Sequence, residues 1–117
     1  MFVASEPGQP DAAVVVRDDP LAPNAGIAAL ADLVRRGYIV RTRADADTVE
    51  ARQNKTARRE AALTSGAQVV STDYPVADKR FGPYIVRIPA GTPARCDPVN
   101  GPPGCRPTDA ESPSQLQ

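Results

Sequence analysis

The sequence predicts an α/β fold, a β-α-β-α-β unit that forms the C-terminal portion of a TIM (β/α)8 barrel. Short β-branched runs alternate with helical stretches, and the connections are short enough for parallel pairing through right-handed crossovers. The second strand places Arg41 and Arg43 on one face and Val40 and Thr42 on the other. Helices cover the more apolar face, and in a closed barrel the arginine face points inward, with its polar residues at the carboxyl mouth. A complete barrel needs ~250 residues, and this chain has 117.

The strands are predicted from runs of β-branched residues. The first run is AAVVVR, closed by the turn sequence Asp18-Asp19-Pro20, and the third is QVVST. The run FGPYIVRIP near residue 85 indicates a possible fourth strand outside the repeat. The predicted strands are residues 12–17, 38–43 and 68–72, with the possible fourth at 81–89.

The helices are predicted from apolar spacing and from end signals. Asn24 is a candidate N-cap for a helix that runs to about Arg36, where Gly37 provides a left-handed stop. Asp47 and Glu50 form a candidate capping box for a second helix over residues 48–65. That helix is rich in alanine, so it packs closely but buries little area.

Proline and composition divide the chain into three parts. Seven of the 13 prolines fall at or after Pro89. Residues 1–88 are predicted to form the partial barrel, residues 89–105 a Pro/Gly-rich extension, and residues 106–117 a disordered tail without apolar periodicity.

Composition narrows the classes of function. The 14 basic and 14 acidic residues balance to a net charge of zero, which argues against a nucleic-acid partner because such binding needs surplus cations. We find no run of ~20 apolar residues that predicts a transmembrane segment, and residues 1–7 lack the pattern of a signal peptide. The chain contains no histidine, the commonest general acid/base and metal ligand. We therefore expect no catalytic residue set, and no catalysis, within this chain alone.

Three segments resemble a known family. They are GYIVRTRADADTVEAR (residues 37–52), TARREAALTSGAQVVSTDYP (56–75) and RCDPVNGPPGC (95–105). Together they resemble the C-terminal part of the bacterial calcium-dependent phosphoinositide phospholipase C-like proteins, in the PLC-like phosphodiesterase superfamily. The Thr72-Asp73-Tyr74-Pro75 end of the last strand also resembles that of glycerophosphodiester phosphodiesterases.

The resemblance implies a TIM-barrel enzyme that cleaves phosphodiester bonds of phosphoinositide-type lipids with the help of calcium. In that family the histidines and calcium-binding side chains come from the early strands, the half of the barrel that this chain lacks. The resemblance also implies a secreted or extracytoplasmic parent and a disulfide between Cys96 and Cys105. On the residues alone, two free thiols are the simpler interpretation. A disulfide across so short a loop would stabilise the fold by about 2.5–3 kcal/mol.

Four residues are the candidate substrate-binding side chains. Arg41 and Arg43 end a strand, where guanidinium groups can hold phosphate oxygens, and Asp73 and Tyr74 follow the last strand, where they could contact an inositol ring. The simpler interpretations are that Arg41 pairs with Asp45 or Asp73 and that Asp73 forms a turn.

Other polar residues carry weaker hypotheses. Asp45, Asp47 and Asp73 could ligate calcium, but Asp45 is explained as well by a turn and Asp47 by a helix cap, so the metal ligands stay unknown. Arg58 and Arg59 are interpreted as a solvated helix face.

Two alternative functions stay open. One is a fragment of a glycerophosphodiester phosphodiesterase-like hydrolase. The other is a non-catalytic module that binds phosphate or inositol.

Overall fold

Three parallel strands form the centre of the molecule, in the order β1-β2-β3. The computed structural model describes residues 7–8, 13–23, 26–88, 91 and 94–106. Within them the strands are β1 (Val14–Val16), β2 (Ile39–Arg43) and β3 (Val69–Ser71). The helices are α1 (Ile27–Arg35), α2 (Val49–Gln53) and α3 (Ala57–Thr64).

The strand register confirms the predicted parallel sheet. Arg41 lies opposite Val16 of β1 on one side and opposite Val69 of β3 on the other. Arg43 lies opposite Ser71. Because β2 is the central strand, its alternating side chains decide the character of both faces of the sheet.

One face of the sheet carries the main hydrophobic core. Val15 of β1 and Val40 of β2 are fully buried against apolar side chains of α1. Those α1 side chains follow helical spacing, which is why they share one face; they are Leu30, Leu33 and Val34. Burying a side chain of this size stabilises a fold by roughly 1.5–3 kcal/mol. Thr42 is buried on the same face, so the covered face is the one that the alternation predicted.

The prediction of one continuous helix over residues 48–65 is wrong, because two helices, α2 and α3, form there. Asn54 adopts a left-handed conformation (φ 47°) and ends α2, and the Lys55 N–H donates to the Glu50 carbonyl at 2.9 Å. Asparagine tolerates this conformation better than most residues. The chain then turns, and α3 begins after Thr56.

The predicted helix caps also need correction. Thr48, not Asp47, precedes the first residue of α2, and Asp47 itself has a positive φ of 52°. The Glu50 carboxylate accepts a hydrogen bond from the Ala46 N–H at 2.8 Å, so no capping box forms. The helix α1 begins after Gly26, and the predicted cap at Asn24 lies outside the described residues.

The predicted fourth strand is not formed by residues 81–88, and residue 89 lies outside the described residues. This segment instead supplies a second, aromatic cluster. Tyr84 meets Tyr74 edge-on with ring centroids 5.4 Å apart, and Phe81 packs on the other side of Tyr74. Aromatic packing, with the Val86 N–H donating to the Tyr74 carbonyl at 2.9 Å, fixes the segment without strand pairing.

The disulfide between Cys96 and Cys105 is confirmed, with a Cα–Cα distance of 6.1 Å. The loop that it closes lies against the carboxyl ends of two helices. Asn100 Nδ2 donates to the Val34 carbonyl of α1 at 2.6 Å, and the Arg95 guanidinium donates to the Leu63 carbonyl of α3. Arg95 thus satisfies a carbonyl at the end of α3, and Asn100 adds a second donor to the Val34 carbonyl, which also accepts the Gly37 N–H at 3.0 Å.

Val99, in the middle of this loop, packs against the main core and directly over Gly66. Gly66 has a φ of 83°, and a Cβ there would collide with the Val99 side chain. The loop is therefore a docked part of the fold. The predicted tail lies outside the described residues from residue 107 onward.

Removing the disulfide is expected to destabilise the chain. The bridge spans a sequence separation of nine residues, and closing a loop of this length lowers the entropy of the unfolded chain by an amount worth about 2.5–3 kcal/mol. The double variant Cys96→Ala/Cys105→Ala should lose that much unfolding free energy in denaturant titrations. Reductant should shift the wild-type midpoint and leave the double variant unchanged. Equal stability of the two proteins would contradict this account of the loop.

Candidate functional site

The carboxyl ends of the three parallel strands meet at one edge of the sheet, and polar residues follow each of them. Residues 17–19 follow β1, residues 44–47 follow β2 and residues 72–74 follow β3. In α/β folds this edge is where ligands bind, because the loops there converge. We call it the carboxyl edge.

Arg41 and Arg43 lie on the sheet face opposite the helices. Arg41 Nε donates to Ser71 Oγ at 2.9 Å, and its two terminal nitrogens have no partner within the described residues. Arg43 is 31% exposed and its Nη2 lies 3.7 Å from Asp73 Oδ2. Arg43 Nε has no hydrogen-bond partner in the described part of the chain. Because Arg43 Nε is buried, the candidate donors for an anion are the terminal nitrogens of the two guanidinium groups.

Asp45 is a buried carboxylate that fixes the turn after β3. Its Oδ1 accepts the Asp73 N–H at 3.0 Å, and its Oδ2 accepts the Thr72 hydroxyl. The Tyr84 hydroxyl lies 3.5 Å from the same Oδ2 and 3.1 Å from the Ala44 carbonyl. A buried charge needs such donors to offset its desolvation. Asp45 thus pairs with neither arginine, and it is Arg43, not Arg41, that pairs with Asp73.

Tyr74 differs from the other three predicted site residues in being buried, with only 5% of its surface exposed. Its hydroxyl donates to the Asp47 carbonyl at 2.9 Å, and its N–H donates to Thr72 Oγ1 at 2.9 Å. The ring is enclosed by Tyr84 and Phe81. The geometry favours a supporting role for Tyr74 under the carboxyl edge over stacking on a ligand.

A second polar network shows that the predicted solvated face of α3 is wrong. Arg58 is 19% exposed, with Nε 3.1 Å from Glu50 Oε1 and Nη2 3.6 Å from Asp19 Oδ1. Arg59 Nη1 donates to the Ile85 carbonyl at 2.9 Å. Both arginines tie α3 to neighbouring loops. Sequence reasoning missed Glu50 and Arg58 because their partners lie on different elements.

The described residues do not fit a calcium site. No group of three or more carboxylates or other metal-ligating side chains occurs among them. Calcium takes six to eight oxygen ligands, but the Asp45 oxygens accept hydrogen bonds and Asp73 faces Arg43.

A cavity of about 500 Å³ lies elsewhere, beside the outer edge of β3. Its walls include Leu63, Val69, Val86 and Ile88. It shares only Thr72 with the carboxyl edge, and none of the four predicted site residues lines it. The guanidinium groups of Arg41 and Arg43 are therefore the better candidate for a phosphate-binding site.

The fold and this edge define an α/β protein whose parallel sheet carries two arginines toward its carboxyl end. The chain belongs to the family described as phosphoinositide phospholipase C, Ca2+-dependent, whose sequence profile matches residues 1–98. The predicted family is thereby confirmed. No curated protein and no solved structure gives a significant match to the chain. Across the residues that the structure describes, no helix has the length and apolarity to span a membrane.

Removal of the Asp45 carboxylate is expected to loosen the carboxyl edge. In Asp45→Ala, the Asp73 N–H and the Thr72 hydroxyl lose their carboxylate acceptor, and a hydrogen bond to a charged group contributes about 1.5–3 kcal/mol. Unfolding in urea should show a loss of at least about 2 kcal/mol. The exposed Asp18→Ala serves as a control and should change stability by less than about 0.5 kcal/mol. Equal effects of the two substitutions would rule out this role for Asp45.

Alkaline pH is expected to destabilise the aromatic cluster. Burial raises the pKa of the Tyr84 hydroxyl above its ordinary value, and the Asp45 and Glu50 carboxylates add to the rise. Burial also raises the pKa of Tyr74. A raised folded-state pKa gives stability that is complete below the unfolded value of about 10 and is lost as the pH climbs through the folded value.

The unfolding free energy should therefore fall above about pH 10, and it should fall less steeply in Tyr84→Phe. Ultraviolet titration should show Tyr74 and Tyr84 ionising above the ordinary tyrosine pKa of about 10. A pH-independent difference between wild type and Tyr84→Phe would contradict the assignment.

Proposed function

We propose that this chain supplies the last strands and part of the mouth of a TIM-type barrel phosphodiesterase acting on phosphoinositide lipids. The parallel sheet has helices on one face and two arginines on the other, as strands of a barrel require. The family to which the chain belongs supports phospholipase C chemistry.

The guanidinium pair at the carboxyl edge carries this proposal. Arg41 uses only its Nε, toward Ser71, within the described residues, and Arg43 Nη2 pairs loosely with Asp73 at 3.7 Å. Planar guanidinium groups hold phosphate oxygens through two parallel hydrogen bonds. In this proposal Asp73, which lies beside Arg43, accepts a hydrogen bond from an inositol hydroxyl. Tyr74 supports the turn that positions Asp73.

We further propose that the chain does not turn over a phosphodiester by itself. It contains no histidine, and histidine is the usual proton-transfer group at neutral pH. The missing N-terminal half of the barrel would supply the acid/base groups and the calcium ligands. The disulfide favours a secreted or extracytoplasmic parent, because such bonds persist in oxidising compartments.

A second candidate is a non-catalytic phosphate- or inositol-binding module, and the same guanidinium pair favours it. The two candidates share one binding chemistry and differ in what completes the sheet. A glycerophosphodiester phosphodiesterase-like parent has only the Thr72–Pro75 turn in its favour.

Binding of inositol 1-phosphate to the full chain, followed by NMR, tests the proposal. Arg41→Gln and Arg43→Gln should each weaken binding about tenfold, because a charge-assisted hydrogen bond contributes about 1.5–3 kcal/mol. Arg36→Gln is the control: Arg36 is also partly exposed and pairs with Asp32 at 3.7 Å, but it lies at the end of α1.

Absence of binding, or equal weakening by all three substitutions, would sink the proposal. Turnover of a phosphoinositide by the chain alone would contradict the proposed lack of activity.

A further inference from the structure

We infer that Asp73 weakens the preference of the guanidinium pair for a doubly charged phosphate monoester over a singly charged phosphodiester. The inference rests on the proposed function, since it needs an anion at Arg41 and Arg43. In this inference Asp73 is more than a ligand contact. Its negative charge lowers the affinity for a ligand by an amount that grows with the negative charge of that ligand.

The structure holds Asp73 in place independently of any ligand. Its N–H donates to Asp45 Oδ1 at 3.0 Å, and Asp45 is fully buried. The preceding hydroxyl, of Thr72, donates to the same carboxylate. The backbone of Asp73 is therefore anchored to the core through Asp45.

The Asp73 side chain faces the guanidinium pair without closing on it. Its Oδ2 lies 3.7 Å from Arg43 Nη2, which is longer than a hydrogen bond, and the side chain is 59% exposed. An anion bound to Arg43 would therefore lie close to the negative charge of Asp73. Because the pairing between Arg43 and Asp73 is loose, Arg43 can still donate to an anion while the Asp73 carboxylate lies nearby.

Repulsion from a fixed charge grows with the charge of the ligand. A phosphodiester carries one negative charge, whereas a phosphate monoester carries nearly two above its second pKa of about 6. Asp73 therefore disfavours the monoester about twice as strongly as the diester. This difference shifts the ratio of the two affinities toward the diester, because the attraction by the arginines that favours the doubly charged monoester is partly offset.

Binding of glycerophosphoinositol and of inositol 1-phosphate to the full chain tests the inference. An exposed charge pair contributes at most about 1 kcal/mol, a factor of about five. At about pH 8, Asp73→Asn should raise the affinity for the monoester about fivefold more than the affinity for the diester. At about pH 5, where the monoester carries one charge, this selective gain should shrink below about twofold.

Asp32→Asn is the matched control. Asp32 is 61% exposed and pairs with Arg36 at 3.7 Å, so the substitution removes the same charge from an equally loose pair on α1. It should leave the ratio of the two affinities unchanged. Asp73→Glu keeps the charge and should retain the wild-type ratio, and Asp73→Ser provides a second neutral variant should the asparagine variant not fold.

The outcomes separate this inference from the proposed function. If wild type binds both probes and the neutral variants change both affinities equally, the inference fails and the guanidinium site stands. A selective gain that persists at low pH also overturns it, because charge would not be the cause. If neither wild type nor the variants bind either probe, both the inference and the proposed function fail.

Discussion

The structure depends on a parallel sheet that, within the described residues, helices cover on the face of Val15 and Val40. Parallel sheets are normally buried on both faces, so a half-covered one needs side chains that tolerate two environments. The central strand β2 meets this need by alternation, with Val40 and Thr42 in the core and Arg41 and Arg43 on the opposite face. The same alternation that builds the core therefore places both guanidinium groups at the candidate site.

Asp45 connects that sheet to the turns around it. Burying a carboxylate is costly unless donors replace the lost water, and here the donors come from the segment after β3 and from Tyr84. Since these groups lie 27 to 39 residues away from Asp45 in the chain, the carboxylate ties distant parts of the sequence together. The aromatic cluster excludes water from one side of this link, which strengthens each of its hydrogen bonds.

Sequence reasoning could predict the features that depend on local patterns. The strand runs, the covered face of β2 and the parallel order follow from periodicity and connection length, and the disulfide followed from the family resemblance. The break at Asn54 was missed because alanine-rich sequence on both sides favours helix, while one residue in a left-handed conformation ends it. The partners of Asp45 and Arg58 were missed because each lies on another element. FGPYIVRIP reads as a strand, but its aromatic rings are used for packing.

The rigidity of the turn after β3 explains why the candidate site keeps its binding capacity. Were Asp73 free to move, its carboxylate could form a bidentate pair with Arg43, the strongest geometry for these groups, and the donors would be consumed within the protein. Asp45 anchors the Asp73 backbone, and the Asp73 carboxylate lies 3.7 Å from Arg43 Nη2. The buried Asp45 carboxylate stabilises the turn, and the exposed Asp73 carboxylate beside it is only incompletely paired with Arg43. A guanidinium group can bind an anion when its donors are not consumed within the protein. Arg43, with Arg41 beside it, meets this condition, and the core supports the strand and the turn that carry these residues.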